Sequence, residues 1–282
     1  MGSRLESISD EDVVKYANIA FPYLLRVVFP LLTQDTTSGR YFLSSAQVFT
    51  VAGRYFVLTS AHTLLPVNQT KVGLCRGGKV SPGDARWIAT QGHAVGGAKE
   101  DVVDIAFMEI SEGDVAWLGV ECIDVEIMQT RDLVVGEVVF FAGFPVASVT
   151  SLSEALASVE PLQYLSVGRA VSGERYTPEL HHLLEYPQQR QVWRATSDAQ
   201  FTSATLPDPV GVSGAGVWVM PVDPDKLISY RNLRLVGVEY AIAATGDVLV
   251  CNKIALVVAL LGQAFPELAE QLSRMGFVIP NE

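Results

Sequence analysis

The feature that most constrains this chain is a pattern that begins near Tyr41, where short runs of Val, Phe, Tyr, Ile and Thr alternate with Gly, Pro, Asn and Asp. β-Branched and aromatic residues favour strands, and the intervening residues are those that tight turns require. Many short strands at regular spacing are typical of antiparallel barrels and sandwiches. The sequence therefore predicts an all-β protein.

The predicted strands form two sets on either side of a segment rich in serine and other small residues. The first set is 47–51, 55–59, 105–110 and 138–141, and the second is 164–171, 191–194, 217–220, 235–240 and 248–251. The expected organisation is a helical extension at 1–35, a first β-barrel at 36–147, a linker at 148–160, a second β-barrel at 161–252 and a C-terminal helix at 253–282. The N-terminal helix is predicted to begin near Ser9, which has a capping-box spacing to Asp12, and to end at Pro22.

Composition and charge exclude several classes of partner. The net charge is -11 and no basic run occurs, which argues against nucleic acid and against anionic membranes. The longest apolar stretches are interrupted or too short to cross a bilayer. We therefore expect neither nucleic acid nor membrane as a partner.

The three cysteines are widely spaced and predict neither a disulfide framework nor a zinc site. Acidic residues near the N-terminus stand where a secretory signal would need basic ones. A reducing, cytoplasmic location is expected.

Three short motifs, each where a predicted strand meets a loop, supply the residue types of nucleophilic amide hydrolysis. This chemistry requires a serine, a histidine that takes its proton, a carboxylate that fixes the histidine tautomer, and N–H donors for the oxyanion. His62 follows the strand at 55–59, Asp104 begins an apolar strand, and Ser213 lies in a glycine-rich turn. Each role therefore has one good candidate.

These motifs resemble those of trypsin-like serine peptidases of the chymotrypsin fold, over roughly residues 40 to 260. Segment 60–63 is similar to the end of the family's Thr-Ala-Ala-His-Cys, 104–107 to its Asp-Ile-Ala-Leu, and 211–217 to its Gly-Asp-Ser-Gly-Gly-Pro-Leu. Segments 142–145 and 197–199 resemble Gly-Tyr-Pro and Thr-Asp-Ala in bacterial HtrA-like members.

The resemblance implies two antiparallel six-stranded β-barrels and a serine endopeptidase that acts on proteins or peptides without a metal or other cofactor. It implies that Ser213 is the nucleophile, His62 the general base and Asp104 the carboxylate that orients it. The backbone N–H groups of Gly211 and Ser213 would form the oxyanion hole.

Val212 departs from the family, because secreted members have an aspartate there that pairs with a newly cleaved N-terminus. No activation site of that type occurs near the N-terminus either. Activity is therefore expected without N-terminal processing. Restraint would come from a narrow substrate choice or from a regulatory protein partner.

The resemblance also implies a specificity pocket that includes Asp208, Glu239, Tyr240 and Ala241. A carboxylate at 208 or 239 would favour a basic residue before the scissile bond. The alternative is that either carboxylate is only solvated or structural.

Other assignments compete with this one. His93 and the pair His181 and His182 are interpreted as surface residues, and Asp101 lies close to Asp104 but does not begin the strand. The main alternative function is a pseudo-protease that keeps the barrels as a binding module for a partner protein. A cysteine hydrolase is a more distant alternative, because no cysteine lies in a nucleophile-like turn.

Overall fold

The computed structural model describes residues 10–64, 70–76, 79–82, 87–90, 103–152, 157–171, 176–187, 191–195, 201–221, 229–243 and 246–278. The described chain is predominantly β, with one α-helix at its N-terminal end, a short one in the first half of the chain and two at its C-terminal end. This confirms the predicted fold class.

Within the described residues, the first sheet contains eight strands. They are β1 Val28–Asp35, β2 Tyr41–Val51, β3 Arg54–Thr59, β4 Thr70–Arg76, β5 Lys79–Pro82, β6 Trp87–Ala89, β7 Ala106–Ile110 and β8 Ile123–Asp124. Seven of them are antiparallel in the order β5, β4, β1, β2, β3, β7, β6, and β8 pairs in parallel with β2. Ala52 and Gly53 join β2 to β3 with φ values of 54° and 73°, the left-handed conformation that two-residue hairpins use. The pairing places β3 directly beside β7, the two strands that carry the first two motifs.

The second sheet closes into a six-stranded antiparallel barrel. Its strands are β9 Val138–Gly143, β12 Leu162–Arg169, β13 His181–Glu185, β16 Gly216–Val219, β17 Arg234–Ile242 and β18 Val248–Lys253. The ring runs β13, β18, β17, β16, β9, β12 and closes because β12 also pairs with β13. A hairpin of β14 Gln191–Ala195 and β15 Phe201–Thr205 extends the sheet from β12. A closed six-stranded barrel beside a second, mainly antiparallel sheet is consistent with the double barrel inferred from the sequence.

The boundary predicted between the two barrels is wrong at β9. This strand was assigned to the first barrel at 36–147, but it pairs with β12 and β16 in the second. The predicted linker at 148–160 holds a two-stranded hairpin of its own, β10 Val149–Leu152 and β11 Ala157–Val159. Alternating apolar residues identify a strand, but they do not identify its partner, which explains the error.

The N-terminal helix, α1, spans Asp10–Val27 and continues through Pro22, where the sequence predicted its end. Residues 28–35 of the predicted helical extension form strand β1 instead. Proline inside a helix removes one backbone hydrogen bond. Burial of Tyr23, Leu24 and Val27 beyond the expected end offsets this cost.

The predicted C-terminal helix is two helices, α3 Ile254–Ala264 and α4 Pro266–Arg274. Pro266 occupies the start of α4, where its missing N–H removes no helical hydrogen bond. A short helix α2, Glu112–Leu118, lies between β7 and β8 and begins with a capping box between Ser111 and Asp114.

One hydrophobic core joins both barrels and three of the helices. Phe21 of α1 contacts Phe140 of β9 edge to face at 6.0 Å, and Phe265, before α4, contacts Phe56 of β3 at 5.2 Å. Phe21, Phe140 and Phe56 belong to a single buried cluster, and Phe265 packs against it. The two barrels therefore hold a fixed relative position, and that position sets the geometry of any site between them.

Candidate active site

His62 and Asp104 lie at adjacent strand ends of the first barrel. His62 is in a single 3-10 turn, Ala61–Leu64, directly after β3, and Asp104 lies two residues before β7. Because Thr59 at the end of β3 pairs with Ala106 at the start of β7, the two side chains emerge at the same edge. Strand pairing therefore brings together residues that are 42 positions apart.

The two side chains form a close hydrogen-bonded pair. Nδ1 of His62 lies 2.6 Å from Oδ2 of Asp104, and the backbone N–H of His62 donates to Oδ1 at 2.9 Å. The Asp104 side chain is 9% exposed and that of His62 is 44% exposed. A carboxylate at Nδ1 holds the proton there and leaves Nε2 as the basic nitrogen. The Asp104 carboxylate thus orients the imidazole through Nδ1, while the ring remains accessible on its Nε2 side.

Asp104 is also tied to the second barrel. Its backbone N–H donates to Oδ1 of Asn252, on β18, at 2.7 Å. Asn252 is fully buried. Sequence reasoning missed this residue, although a polar side chain in the apolar run of β18 was a signal for it.

Ser213 lies in the turn that enters β16, between two glycines with positive φ. Gly211 has φ 98° and Gly214 has φ 94°. A Cβ at Gly211 would lie 2.7 Å from the carbonyl oxygen of Phe144, and one at Gly214 would overlap the carbonyl oxygen of Ser45. Both positions therefore require glycine for conformation and for space.

Ser45 of β2 holds this turn against the first barrel. Its N–H donates to the Ser213 carbonyl at 2.8 Å, and its hydroxyl donates to the Gly211 carbonyl at 3.1 Å. The same hydroxyl accepts from the N–H of Phe144 at 2.9 Å. This link between the barrels fixes the backbone on both sides of Ser213, and nothing in the local motif indicated it.

His62 and Ser213 line the same cleft, whose volume is about 410 Å³. The hydroxyl of Ser213 is directed to the carbonyl oxygen of Tyr240 at 3.4 Å, and among the described contacts it makes no hydrogen bond to His62. His62 and Ser213 thus line one cleft, Asp104 contacts His62 without lining that cleft, and the Ser213 hydroxyl is turned away from His62.

Two backbone N–H groups in the serine turn are unengaged. Within the described part of the chain, the N–H groups of Gly211 and Ser213 have no acceptor, whereas Val212 donates to Pro209 at 2.9 Å and Gly214 to Glu239 at 2.8 Å. Open amides in such a turn are suited to an oxyanion. Val212 is fully buried among apolar residues of the second barrel.

The four residues predicted for the specificity pocket separate into two groups. Glu239, Tyr240 and Ala241 line the cleft. Asp208 does not line it; its side chain is exposed and accepts a hydrogen bond from the N–H of Val210 at 3.1 Å, which closes the local turn. An aspartate side chain commonly bonds to the backbone two residues on, and this local role accounts for Asp208.

Glu239 is a buried acid next to the nucleophile candidate. It is 2% exposed, and Oε2 has no hydrogen-bond partner. Burial raises the pKa of Glu239 well above its usual value and the charge of Asp104 raises it further, while a hydrogen bond with Ser213 acts in the opposite direction. The interpretation of Glu239 as a solvated loop carboxylate is therefore wrong.

The interpretation of His181 and His182 as surface residues is also wrong. His181 and His182 lie on β13 and are buried, at 0% and 3% exposure, although the sequence predicted surface residues. The ring of His181 packs against Tyr176 and Tyr240, and burial lowers the pKa of His182 to about 4. Because the residues near this pair in the sequence are polar, the sequence did not predict β13, the strand that closes the second barrel.

Three of the sequence assignments fall outside the described residues: His93, Asp101 and the segment 197–199. Among the residues that are described, no group of three or more His, Cys, Asp and Glu side chains is arranged to hold a metal ion. In the same part of the chain, no helix has the length and hydropathy to span a bilayer.

Comparison with known proteins is informative only at the level of structure. No family model and no curated protein matches the sequence. Among solved structures, an HtrA-type protease, AlgW with a tripeptide, superposes with a TM-score of 0.49 and 14% identity over 88% of this chain and 62% of its own. This chain thus spans less than two thirds of the AlgW chain.

Two further solved structures cover more of their own length. The Rv3671c protease from M. tuberculosis, in its active form, has a TM-score of 0.47 and 13% identity over 100% of this chain and 96% of its own. A scabies mite inactivated protease paralogue has a TM-score of 0.47 and 13% identity over 85% and 94%. Each of these three likenesses has a TM-score below 0.5 and an identity of 13% or 14%, so none of them assigns a role to this chain.

Proposed function

We propose that this protein is a serine endopeptidase in which Ser213 attacks the scissile carbonyl of a protein substrate. His62 takes the hydroxyl proton through Nε2, and Asp104 stabilises the imidazolium that forms. The observation that carries the proposal is the 2.6 Å contact of His62 Nδ1 with Asp104 beside a cleft that Ser213 also lines. A histidine with only a structural role would not need the Nε2 side of its ring to be accessible from the cleft.

The N–H groups of Gly211 and Ser213 are proposed to stabilise the oxyanion. Donors fixed in advance cost no reorganisation when charge develops, and losing one such donor typically slows turnover by about 10² to 10³. The links of Ser45 to both residues supply this rigidity. The proposal also requires the Ser213 hydroxyl to turn from the Tyr240 carbonyl to His62.

No N-terminal processing is needed in this proposal. A buried carboxylate before the serine would have to be neutralised by a freed amine, but Val212 is apolar and packs in the core of the second barrel. Restraint of the enzyme then depends on its substrate choice or on a regulatory protein partner. A cytoplasmic site of action, in a bacterium, completes the proposal.

The test is cleavage of an unfolded protein such as reduced, alkylated casein. Ser213→Ala and His62→Ala are expected to lower turnover by about 10⁴ to 10⁶ with little change in melting temperature. Ser38→Ala, at an exposed turn, is the matched control and should cleave like the wild type. Retained cleavage in purified Ser213→Ala protein would refute the assignment, and an intact wild-type protein with no cleavage would favour the binding module.

A further inference from the structure

Glu239 is a buried acid whose backbone is fixed beside Ser213. Its N–H donates to the carbonyl of Ala215 at 2.9 Å, and its carbonyl accepts from the N–H of Gly214 at 2.8 Å. The hydroxyl of Ser60, from the first barrel, donates to the same carbonyl at 2.8 Å. Because the backbone is held on both sides of the serine turn, the side chains of Glu239 and Ser213 meet in one fixed arrangement.

The Ser213 hydroxyl has two acceptors on this side of the cleft. It is directed to the carbonyl oxygen of Tyr240 at 3.4 Å, and it also hydrogen-bonds with the Glu239 carboxyl. A separation of 3.4 Å is long for a hydroxyl donor, so the carbonyl by itself holds the hydroxyl only weakly. The acceptor strength of the carboxyl therefore decides how firmly the hydroxyl stays turned away from His62.

The surroundings of the Glu239 carboxyl favour its neutral form. Oε2 is buried without a hydrogen-bond partner, and within the described part of the chain no ion pair joins the group to a basic side chain. A buried carboxylate in this state is unfavourable. Burial raises the pKa of Glu239, and the charge of Asp104 raises it further. Glu239 thus stays neutral at pH values at which an exposed glutamate is ionised.

The two protonation states of a carboxyl differ strongly as acceptors. A carboxylate accepts a charge-assisted hydrogen bond, which is roughly twice as strong as a neutral one. We propose that Glu239 is a positioning residue for Ser213: its ionised form holds the serine hydroxyl away from His62, and its neutral form releases the hydroxyl to that base. The inference rests on the proposed peptidase function and concerns the regulation of its nucleophile. In the reaction the serine proton still passes to Nε2 of His62, and Glu239 exchanges its own proton only with solvent.

The proposal implies a definite pH dependence. The titratable groups around Glu239 are Asp104 before β7, His62 after β3, Cys251 on β18 and Tyr240 on its own strand. Burial raises the pKa of both Cys251 and Tyr240, so these two remain neutral near physiological pH. The reactivity of Ser213 should therefore rise with pH as His62 loses its proton, and fall at higher pH as Glu239 ionises.

The first test follows the rate at which a fluorophosphonate modifies Ser213 from pH 5 to 9. The wild-type rate should pass through a maximum and then fall at least about tenfold, the size expected when a charge-assisted hydrogen bond must first be broken. Glu239→Gln has the same shape but cannot ionise, so it should keep the rise on the acid side and lose the alkaline fall.

The matched control is Glu126→Gln, at an exposed glutamate outside the cleft, which should keep the wild-type maximum. A protein that only needed Glu239 for folding would show no change in the shape of the profile. An equal alkaline fall in Glu239→Gln, or a wild-type rate that does not fall up to pH 9, overturns the proposal and leaves the peptidase assignment intact.

A second test needs no reaction at Ser213. The side-chain carboxyl carbon of Glu239 is titrated by NMR in the wild type and in Ser213→Ala. Since the hydroxyl stabilises the ionised form, its removal should raise the pKa of Glu239 by about 1. Ser38→Ala, at an exposed turn, should leave this pKa unchanged. Equal pKa values in the wild type and Ser213→Ala overturn the proposal, whereas the expected shift in a wild type that no fluorophosphonate modifies supports the contact and counts against the peptidase assignment alone.

Discussion

Asp104 shows how much a single side chain contributes to the candidate site. Its two oxygens accept from the ring and the backbone of His62, and it is nearly buried. One oxygen therefore fixes where the histidine lies and the other fixes which nitrogen carries the proton. Removing the charge without changing the shape separates these two roles.

Asp104→Asn is expected to lower kcat by about 10⁴, the size of the loss known for the corresponding change in the chymotrypsin-type triad, because an amide N–H at Nδ1 favours the wrong tautomer. The measurement is single-turnover cleavage of a peptide substrate across pH. Urea unfolding serves as the control and should change little. A loss of less than tenfold would indicate that Asp104 only supports the turn.

His62, Asp104 and Ser213 could be singled out as candidates because each lies in a short motif next to a strand. The sequence could not assign different roles to Asp208 and Glu239, since both are acidic residues in segments of similar composition. The structure distinguishes them by local geometry: Asp208 bonds to its own turn, whereas Glu239 pairs with Cys251 next to a register shift in β17 and lines the cleft. Such a difference depends on strand register, which a single sequence specifies poorly.

At the scale of elements, strand β13 is the least expected part of the fold. It pairs with β12 and β18 and so closes the second barrel, yet it begins with two histidines. His182 is buried near the ion pair of Lys253 and Asp132, and Nε2 has no hydrogen-bond partner. A neutral imidazole is tolerated there, but an imidazolium is not.

This environment predicts an acid-sensitive barrel. Because burial, reinforced by the charge of Lys253, lowers the pKa of His182 to about 4, the unfolded state binds a proton first as the pH falls below its own value of about 6.5. The stabilising contribution is thus complete above pH 6.5 and is lost between pH 6.5 and 4, by about 2 kcal/mol between pH 7 and pH 5.

Urea unfolding of the wild type and of His182→Leu at pH 7 and pH 5 measures this contribution. The variant should lose about 2 kcal/mol less than the wild type over that interval, whatever its absolute stability. Equal losses in the two proteins would mean that His182 is already protonated, or solvated, in the folded state.

Element boundaries deviated from expectation where tertiary contacts outweigh local signals. Pro22 does not end α1 because the turn that follows buries three apolar side chains, while Pro266 does begin a new helix. Arg54 holds this last helix to the first barrel by ion pairs with Glu109 and Glu267 and by stacking 4.4 Å over Phe265. None of these long-range contacts is visible in a window of neighbouring residues.

For the molecule as a whole, the site is a product of the way the two barrels meet. Asn252 bonds to Asp104, Ser45 to the serine turn, and Ser60 to the carbonyl of Glu239, each across the junction. The fold class was predictable from alternation and turn residues. The pairing of β9 within the second barrel and these three hydrogen bonds were not predictable. Contacts between residues far apart in the sequence leave no signal in the residues next to them.

Asn252→Ala tests whether the junction positions the site. It leaves the buried N–H of Asp104 without its acceptor, so we expect a loss of about 1 to 3 kcal/mol in unfolding free energy. We also expect kcat to fall at least tenfold with little change in KM, since the substrate contacts remain. Asn18→Ala, on the exposed side of α1, is the control. A stability loss with unchanged kcat would limit Asn252 to a structural role.

The most direct measurement is the position of a covalent adduct. The protein is treated with a fluorophosphonate, which reacts with a serine only when a neighbouring base activates it, and the modified residue is located by peptide mass spectrometry. One adduct per chain at Ser213, absent after His62→Ala, is the predicted result. No adduct on folded protein, or an adduct at another serine, would contradict the account.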